Sequence, residues 1–433
     1  MCKLKVKNFS VIKEAELEFG KITVLIGPQS SGKSLLCKLT HFLSKEVLEL
    51  AVENIVRGKH YNEFRDVING LFFKRFPTNL TSNSSYDIEL TEGLYTIRCF
   101  ATYEVYDGQR GCTFSEEFVD LYAALLAKQN GREIIGGPPA TSSDFAIWTE
   151  LNLLLTDPVI VRTVYIPAGR AFFTNASLGF NALQNPDIDP LIRKFPTEIS
   201  WDASWRGFDS THGDASLREV SEKMDDIAGG YVQGSERAPV FVAHDGRKIP
   251  FTLLSSGTQE LLPLFNVLGR IASTVRYPAA TLLSKIGAGN GRWDVWSKNL
   301  VYLEEPEANI FPETQYELVR LFAWLSHEPT LDFSWVITTH SPYILSAFNN
   351  LIEAGQAARN NPTLHDEVAK IIPERYWIKE GDFKAYAIED GKLRSILNES
   401  GFIEGNYLDQ VSEVIGNEFD ELLRLEYDHT KAS

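Results

Sequence analysis

Long apolar runs are missing from this chain. No stretch reaches the roughly 18 residues that a membrane-crossing helix needs, and the first residues carry no hydrophobic signal segment, so no membrane span is expected. Sulfur is scarce. There are two methionines and four cysteines, Cys2, Cys37, Cys99 and Cys112. None of the four is paired at metal-ligand spacing, and all read as core or surface thiols. A basic excess is also missing. The 42 Lys and Arg face 58 Asp and Glu, a net charge of -16, and the pI is about 5.1. This disfavours wholesale, sequence-independent nucleic-acid binding and leaves room for a local basic groove. No heptad repeat persists from Phe172 to about Met224, so no long coiled coil is expected to be inserted there.

What is present begins with Gly27-Pro28-Gln29-Ser30-Ser31-Gly32-Lys33-Ser34. It reads G-x-x-x-x-G-K-S, a phosphate-binding loop. An apolar, β-branched segment, Lys21 to Ile26, precedes it, and apolar residues at helical spacing follow from Leu35 to Leu43. Strand, loop and helix are the context this motif needs. Glycines let backbone N–H groups curl around phosphate, and the helix N-terminus adds positive potential. Lys33 is placed to reach the β- and γ-phosphates, and Ser34 to ligate Mg²⁺. A nucleotide-binding protein is expected inside a cell, where thiols stay reduced.

The 433 residues, 44% of them hydrophobic, suffice for two lobes around a sizeable core. Residues 2–9 alternate, with Lys3, Lys5 and Lys7 opposite Leu4 and Val6, and Ala15 to Phe19 alternate again. A short antiparallel pair therefore leads into the loop, its lysines on a wet face. Helices are predicted from Glu46 to Val56 and from Tyr61 to Phe76, with a polar loop from Thr78 to Ser85. Tyr86–Leu90 and Leu94–Phe100 form an antiparallel element about a Glu92-Gly93 turn. Ser115 reads as the N-cap of a helix running to Asn130. A Gly/Pro/Ser-rich connector, Ile134 to Ser143, precedes a helix from Asp144 to Leu155. Pro158 to Pro167 is a buried strand ending in Ala168-Gly169-Arg170. Residues 172–224 are irregular and helical. Their loop Asp209 to Asp214 contains His212, read as solvated because no other cluster completes a metal site. Gly229 to Gly234 reads as a turn, then Pro239–Val242 and Arg247–Pro250 as strands about Asp245-Gly246.

Three further motifs follow. Leu254-Ser255-Ser256-Gly257-Thr258-Gln259-Glu260 opens an apolar helix from Leu261 to Val275, as an N-cap or as a second anion site. Leu300-Val301-Tyr302-Leu303-Glu304-Glu305-Pro306-Glu307 is a strand ending in carboxylates, fit for a metal, a general base or a charged terminus. Phe333 to Thr339 is a strand ending in His340-Ser341-Pro342.

In this order the four motifs resemble the ATP-binding-cassette class of P-loop ATPases. They most resemble the compact RecF, SMC and OLD-like prokaryotic proteins labelled AAA-family ATP-binding proteins. The resemblance is strong over residues 1–43 and about 238–347. It implies an α/β fold: an ABC-type P-loop ATPase head with a mixed sheet, an antiparallel β element and a helical insertion lobe. The expected division is residues 1–135 and 238–376 for the two parts of the head, 136–237 for the insertion and 377–433 for a closing segment and docking surface. It further implies that two copies sandwich ATP. Gly27, Pro28, Gln29, Ser30, Ser31, Gly32, Lys33 and Ser34 of one copy would face Ser255, Ser256, Gly257 and Gln259 of the other. Ser34 and Glu304 would hold Mg²⁺, Glu305 would be the general base, and His340 would contact the γ-phosphate. Glu307 to Pro312 would communicate between the two sites. Ser256 stands where transporters have glycine, and Glu304 where an Asp is usual. No glutamine loop follows Pro167. Arg170 stands there, as a phosphate contact, a contact to the partner lobe or a surface arginine.

The function this implies is a cytoplasmic ATPase switch that dimerises around ATP and controls a separate effector, a nuclease or toxin in anti-phage defence. The alternative is a RecF- or SMC-like DNA-repair ATPase that binds DNA directly. A transporter subunit is disfavoured by the missing glutamine loop and by the roughly 220 residues between Ser34 and Ser255. No catalytic cluster supports a standalone nuclease.

Overall fold

The computed structural model describes residues 2–76, 85–102, 109–130, 147, 160–174, 185, 188–199, 201, 215–234, 239–274, 297–328, 331–405 and 418–419. The polar loop at 78–84, the connector at 134–143, His212 and its loop, and nearly all of the helix expected at 144–155 lie outside these residues.

Alternation produces the first pair. In β1 (Lys3–Phe9) Leu4, Val6 and Phe9 are buried, and β1 runs antiparallel to β2 (Ile12–Glu18). The lysines are neutralised by their sheet neighbours: Lys3 pairs with Glu16 and Glu18, Lys5 with Glu89. β3 (Ile22–Ile26) is almost wholly buried and delivers the chain to the loop. The P-loop helix, Lys33–His41, passes through a π-helical turn, Phe42–Glu46, into a helix from Val47 to Val56.

β4 (Tyr86–Glu92), β5 (Tyr95–Ala101) and β6 (Arg110–Phe114) form an antiparallel ribbon that joins the main sheet through β1. One expectation changes here. Cys99 and Cys112 are register partners on β5 and β6 and form a disulfide, so only Cys2 and Cys37 are thiols. Ser115 fastens the helix Glu116–Asn130 to β5: its hydroxyl donates to Leu94 O at 2.9 Å and accepts from Thr96 N–H at 3.3 Å.

β7 (Ile160–Ile166) belongs to the main sheet. Gly230–Gln233 is a strand, β8, where a turn was expected. Its alternate residues pack inward, and it heads a separate antiparallel sheet with β9 (Val240–Ala243) and β10 (Lys248–Pro250). β11 (Ser297–Glu304) and β12 (Phe333–Thr339) carry the late motifs. β13 (Phe383–Glu389) and β14 (Lys392–Ser395) come from the tail.

Among the described residues the main sheet has 11 strands in the order β6-β5-β4-β1-β2-β14-β13-β3-β12-β11-β7. β13, β3, β12, β11 and β7 are mutually parallel. The tail's β13 thus lies inside the sheet, beside the P-loop strand, instead of closing over it. The sequence of β13 explains this: Ala385, Ala387 and Ile388 are buried, as a central strand requires. One face of the sheet packs on the helices Ser256–Thr274, Pro312–His327 and Pro342–Asn360. The other packs on the P-loop helix and the helices Tyr61–Arg75 and Glu116–Asn130. Among the described residues no helix is long and apolar enough to cross a membrane.

Candidate nucleotide site

Parallel strands bring the motifs together. Ile26 is level with Thr339, Glu304 with Thr338, and Ile166 with Leu303, so β3, β12, β11 and β7 end at one edge. Open α/β sheets bind ligands at this carboxyl edge.

The loop is shaped for an anion. Gly32 adopts φ +108°, which favours glycine, and precedes a helix with no side-chain cap, leaving the N–H groups of its first turn to a ligand. Ser31 Oγ is buried without a hydrogen-bond partner, a polar atom that a phosphate oxygen would satisfy. Lys33 Nζ donates to Gly27 O at 2.7 Å and Pro28 O at 2.9 Å. Burial pulls its pKa below the ordinary lysine value, and the charges of Glu305 and Glu307 oppose that shift.

The carboxylates divide the work. Glu304 is 8% exposed. Its carboxylate accepts the Tyr165 hydroxyl at 2.7 Å and Ala168 N–H at 3.2 Å. Glu305 is part-exposed and in the left-handed region, φ 43°, with its N–H donating to Thr338 O at 2.9 Å. Its carboxylate stands 3.7 Å from His340 Nε2. Glu307 accepts His340 N–H at 2.6 Å, and burial raises its pKa. Ser341 caps the following helix and donates to Gln315 Oε1 at 2.5 Å, tying this edge to the helix after Glu307.

The serine-glycine motif stands apart. Ser255 Oγ accepts Thr258 N–H at 3.2 Å and thereby caps the helix Ser256–Thr274, which starts earlier than periodicity suggested. A Cβ on Gly257 would lie 2.9 Å from Asn309 O, so only glycine lets this turn touch the loop after Glu307. Among the described residues no hydrogen bond or ion pair joins Ser255–Gly257 to Gly27–Ser34. Gln259 was expected at the nucleotide, yet its amide nitrogen donates backward to Leu254 O at 3.0 Å.

Arg170 needs a larger correction. It is neither a surface residue nor free for phosphate: it is 0% exposed. Nη1 donates to Pro167 O and Glu304 O, and Nη2 to Glu305 O. A buried guanidinium must be satisfied internally, and the carbonyls at the end of β11 satisfy it. Sequence reasoning also missed Tyr165 and Glu260. A tyrosine between Val164 and Ile166 near the end of a buried strand is the available signal for the first, because its hydroxyl must find a partner.

Ser34 with Glu304 is a hydroxyl and a carboxylate. That oxygen set suits Mg²⁺, which takes most of its ligands from water and phosphate. Among the described residues no group of three His, Cys, Asp or Glu could hold a metal by itself.

The AAA ATPase domain family model matches residues 185–345, which span the serine-glycine, double-carboxylate and histidine motifs. Residues 185–345 are thus similar to AAA ATPase domains, and the order of the motifs along one strand edge resembles that of ABC-type P-loop ATPase heads. Among solved structures, the SMC head domain from Thermotoga maritima aligns at 12% identity and TM-score 0.37, over 92% of this chain and 98% of that one. The Smc head of Pyrococcus furiosus bound to the C-terminal domain of ScpA aligns at 13% and 0.35, over 92% and 96%. The ATP-binding cassette MJ1267 of an ABC transporter aligns at 11% and 0.32, over 96% and 97%. No curated protein matches.

Proposed function

We propose that the chain binds ATP-Mg²⁺ at Gly27–Ser34, pairs with a second copy through Ser255–Gly257, and hydrolyses ATP to ADP and phosphate. The observation that carries this is the shared strand edge. It sets Lys33 after β3, Glu304 and Glu305 at the end of β11 and His340 after β12, with the Glu305 carboxylate part-exposed beside His340. Bound ATP supplies the transferable phosphoryl group, and Mg²⁺ neutralises charge on it.

Each residue then has a task. The loop N–H groups and Lys33 hold the phosphates. Ser34 and Glu304 would hold the metal. Glu305 accepts the proton of the attacking water, and His340 steadies the developing charge. Phosphoryl transfer asks mainly for positioning and charge neutralisation, which these parts provide. Large exposed apolar residues flank the motifs, Leu253 at 73%, Phe311 at 74% and Tyr343 at 56%. They support burial of this edge against a second copy. The dimer would be a cytoplasmic switch for a separate effector, a nuclease or toxin of anti-phage defence.

Lys33→Ala should abolish ATP binding. Glu305→Gln should keep binding, lower turnover by about 10²–10⁴-fold and accumulate an ATP-bound dimer in size-exclusion light scattering. Turnover of Glu305→Gln at the parent rate would reject the assignment of the base.

A further inference from the structure

Arg170 reaches both the end of β11 and the signature helix. Nη1 donates to Glu304 O at 2.6 Å and to Pro167 O at 3.0 Å, and Nη2 donates to Glu305 O at 3.1 Å. Nε faces Glu260 Oε2 at 3.6 Å, beyond hydrogen-bond distance, and neither atom has a hydrogen-bond partner. Glu260 is 2% exposed and lies in the second turn of the helix Ser256–Thr274. Four residues beyond Arg170, Thr174 Oγ1 donates to Gln259 O at 2.7 Å on the same helix. The segment after β7 is therefore pinned on one side to the carbonyls of both carboxylates and on the other to the start of the signature helix.

Glu305 sits at φ 43°. A non-glycine residue holds a left-handed conformation only when its surroundings impose it. Three bonds hold it here: Glu305 N–H to Thr338 O, Ala308 N–H to Glu305 O at 3.1 Å, and Arg170 Nη2 to Glu305 O. The guanidinium divides three carbonyls between two nitrogens in a planar fork, whereas an ammonium would have to offer its three donors from a single nitrogen. Glu260 supplies the buried countercharge that keeps this fork in place.

We infer that Arg170 is a positioning residue: held by Glu260, it fixes the backbone of Glu305 and so aims that carboxylate, making the setting of the base follow the seating of the signature helix. The inference rests on the reading of Glu305 given above. A chain in which Arg170 merely stabilised the fold would lose nucleotide binding and turnover together. A positioning role lowers turnover and leaves binding alone.

The test is a mutant cycle in the full chain. Binding of a fluorescent ATP analogue and steady-state phosphate release are measured for the parent, Arg170→Lys, Glu260→Gln, Glu305→Gln and each combination with Glu305→Gln. Glu260→Gln keeps shape and serves if Arg170→Lys does not fold. The expected result is parent affinity with turnover lowered about 10- to 100-fold by either single change. In the Glu305→Gln background neither change should lower residual turnover further, because both act through that side chain. Parent turnover in folded Arg170→Lys and Glu260→Gln, or full multiplicative losses in the Glu305→Gln background, would overturn the positioning role. Unchanged turnover in Glu305→Gln alone would instead bring down the reading of the base, and the positioning role with it.

Discussion

Tyr165→Phe removes one buried oxygen and tests the role of Glu304. The hydroxyl donates to Glu304 Oε1 at 2.7 Å, and Ala168 N–H is the other donor to that carboxylate. Tyr165 is 5% exposed, and its ring stacks on Tyr302 with centroids 6.0 Å apart, so phenylalanine keeps the packing. A hydrogen bond to a charged acceptor contributes about 1.5–3 kcal/mol. The variant no longer desolvates a hydroxyl, which offsets part of this in stability but not in the orientation of Glu304. If Glu304 holds the metal, the loss falls on Mg²⁺, and about 1.4 kcal/mol is tenfold. Phosphate release titrated with Mg²⁺ at fixed ATP should show a midpoint about 10- to 100-fold higher. Binding of ATP in EDTA should be unchanged. An unaltered Mg²⁺ midpoint in a folded Tyr165→Phe would refute the reasoning and leave Glu304 as an internal anchor of β7.

Three further outcomes are expected. Trp335→Ala should cost about 3–5 kcal/mol in urea unfolding, because the indole is 0% exposed and its Nε1–H donates to Phe322 O and Ser326 Oγ. Glu307→Gln should raise the Tm at pH 7, read by differential scanning fluorimetry. Burial raises the folded-state pKa of Glu307 above the ordinary 4.5. Its charge therefore opposes folding fully above the folded pKa and no longer does so below the unfolded one, so the gain should fade as pH drops from the raised folded pKa toward 4.5 and vanish below it. Gly257→Ala should spare ATP binding and lower turnover, since the added Cβ would push on Asn309 O at 2.9 Å and displace the loop after Glu307. Parent turnover in that variant would refute the contact.

The first strand pair, β3 with its loop and helix, β11 and β12 were all legible, because their periods and terminal residues are local signals. The tail was not. Phe383–Glu389 reads as a strand anywhere, and only its pairing with β3 through Phe383↔Ile22 places it at the centre of the sheet. Glycines at 229, 230 and 234 suggest a turn, while pairing with β9 makes Gly230–Gln233 a strand. Cys99 and Cys112 carry no spacing motif; antiparallel register alone sets them opposite each other.

By itself the sequence determined which groups can meet a phosphate: a glycine loop, Lys33, two consecutive carboxylates and His340, each at the end of a strand. It could not say which of them would be occupied by the protein's own atoms. Tertiary structure decided that, because satisfying buried polar groups is a non-local problem. It took Arg170 out of solvent and used it on the carbonyls of Glu304 and Glu305, gave Glu304 the hydroxyl of Tyr165, and left the Glu305 carboxylate part-exposed beside His340.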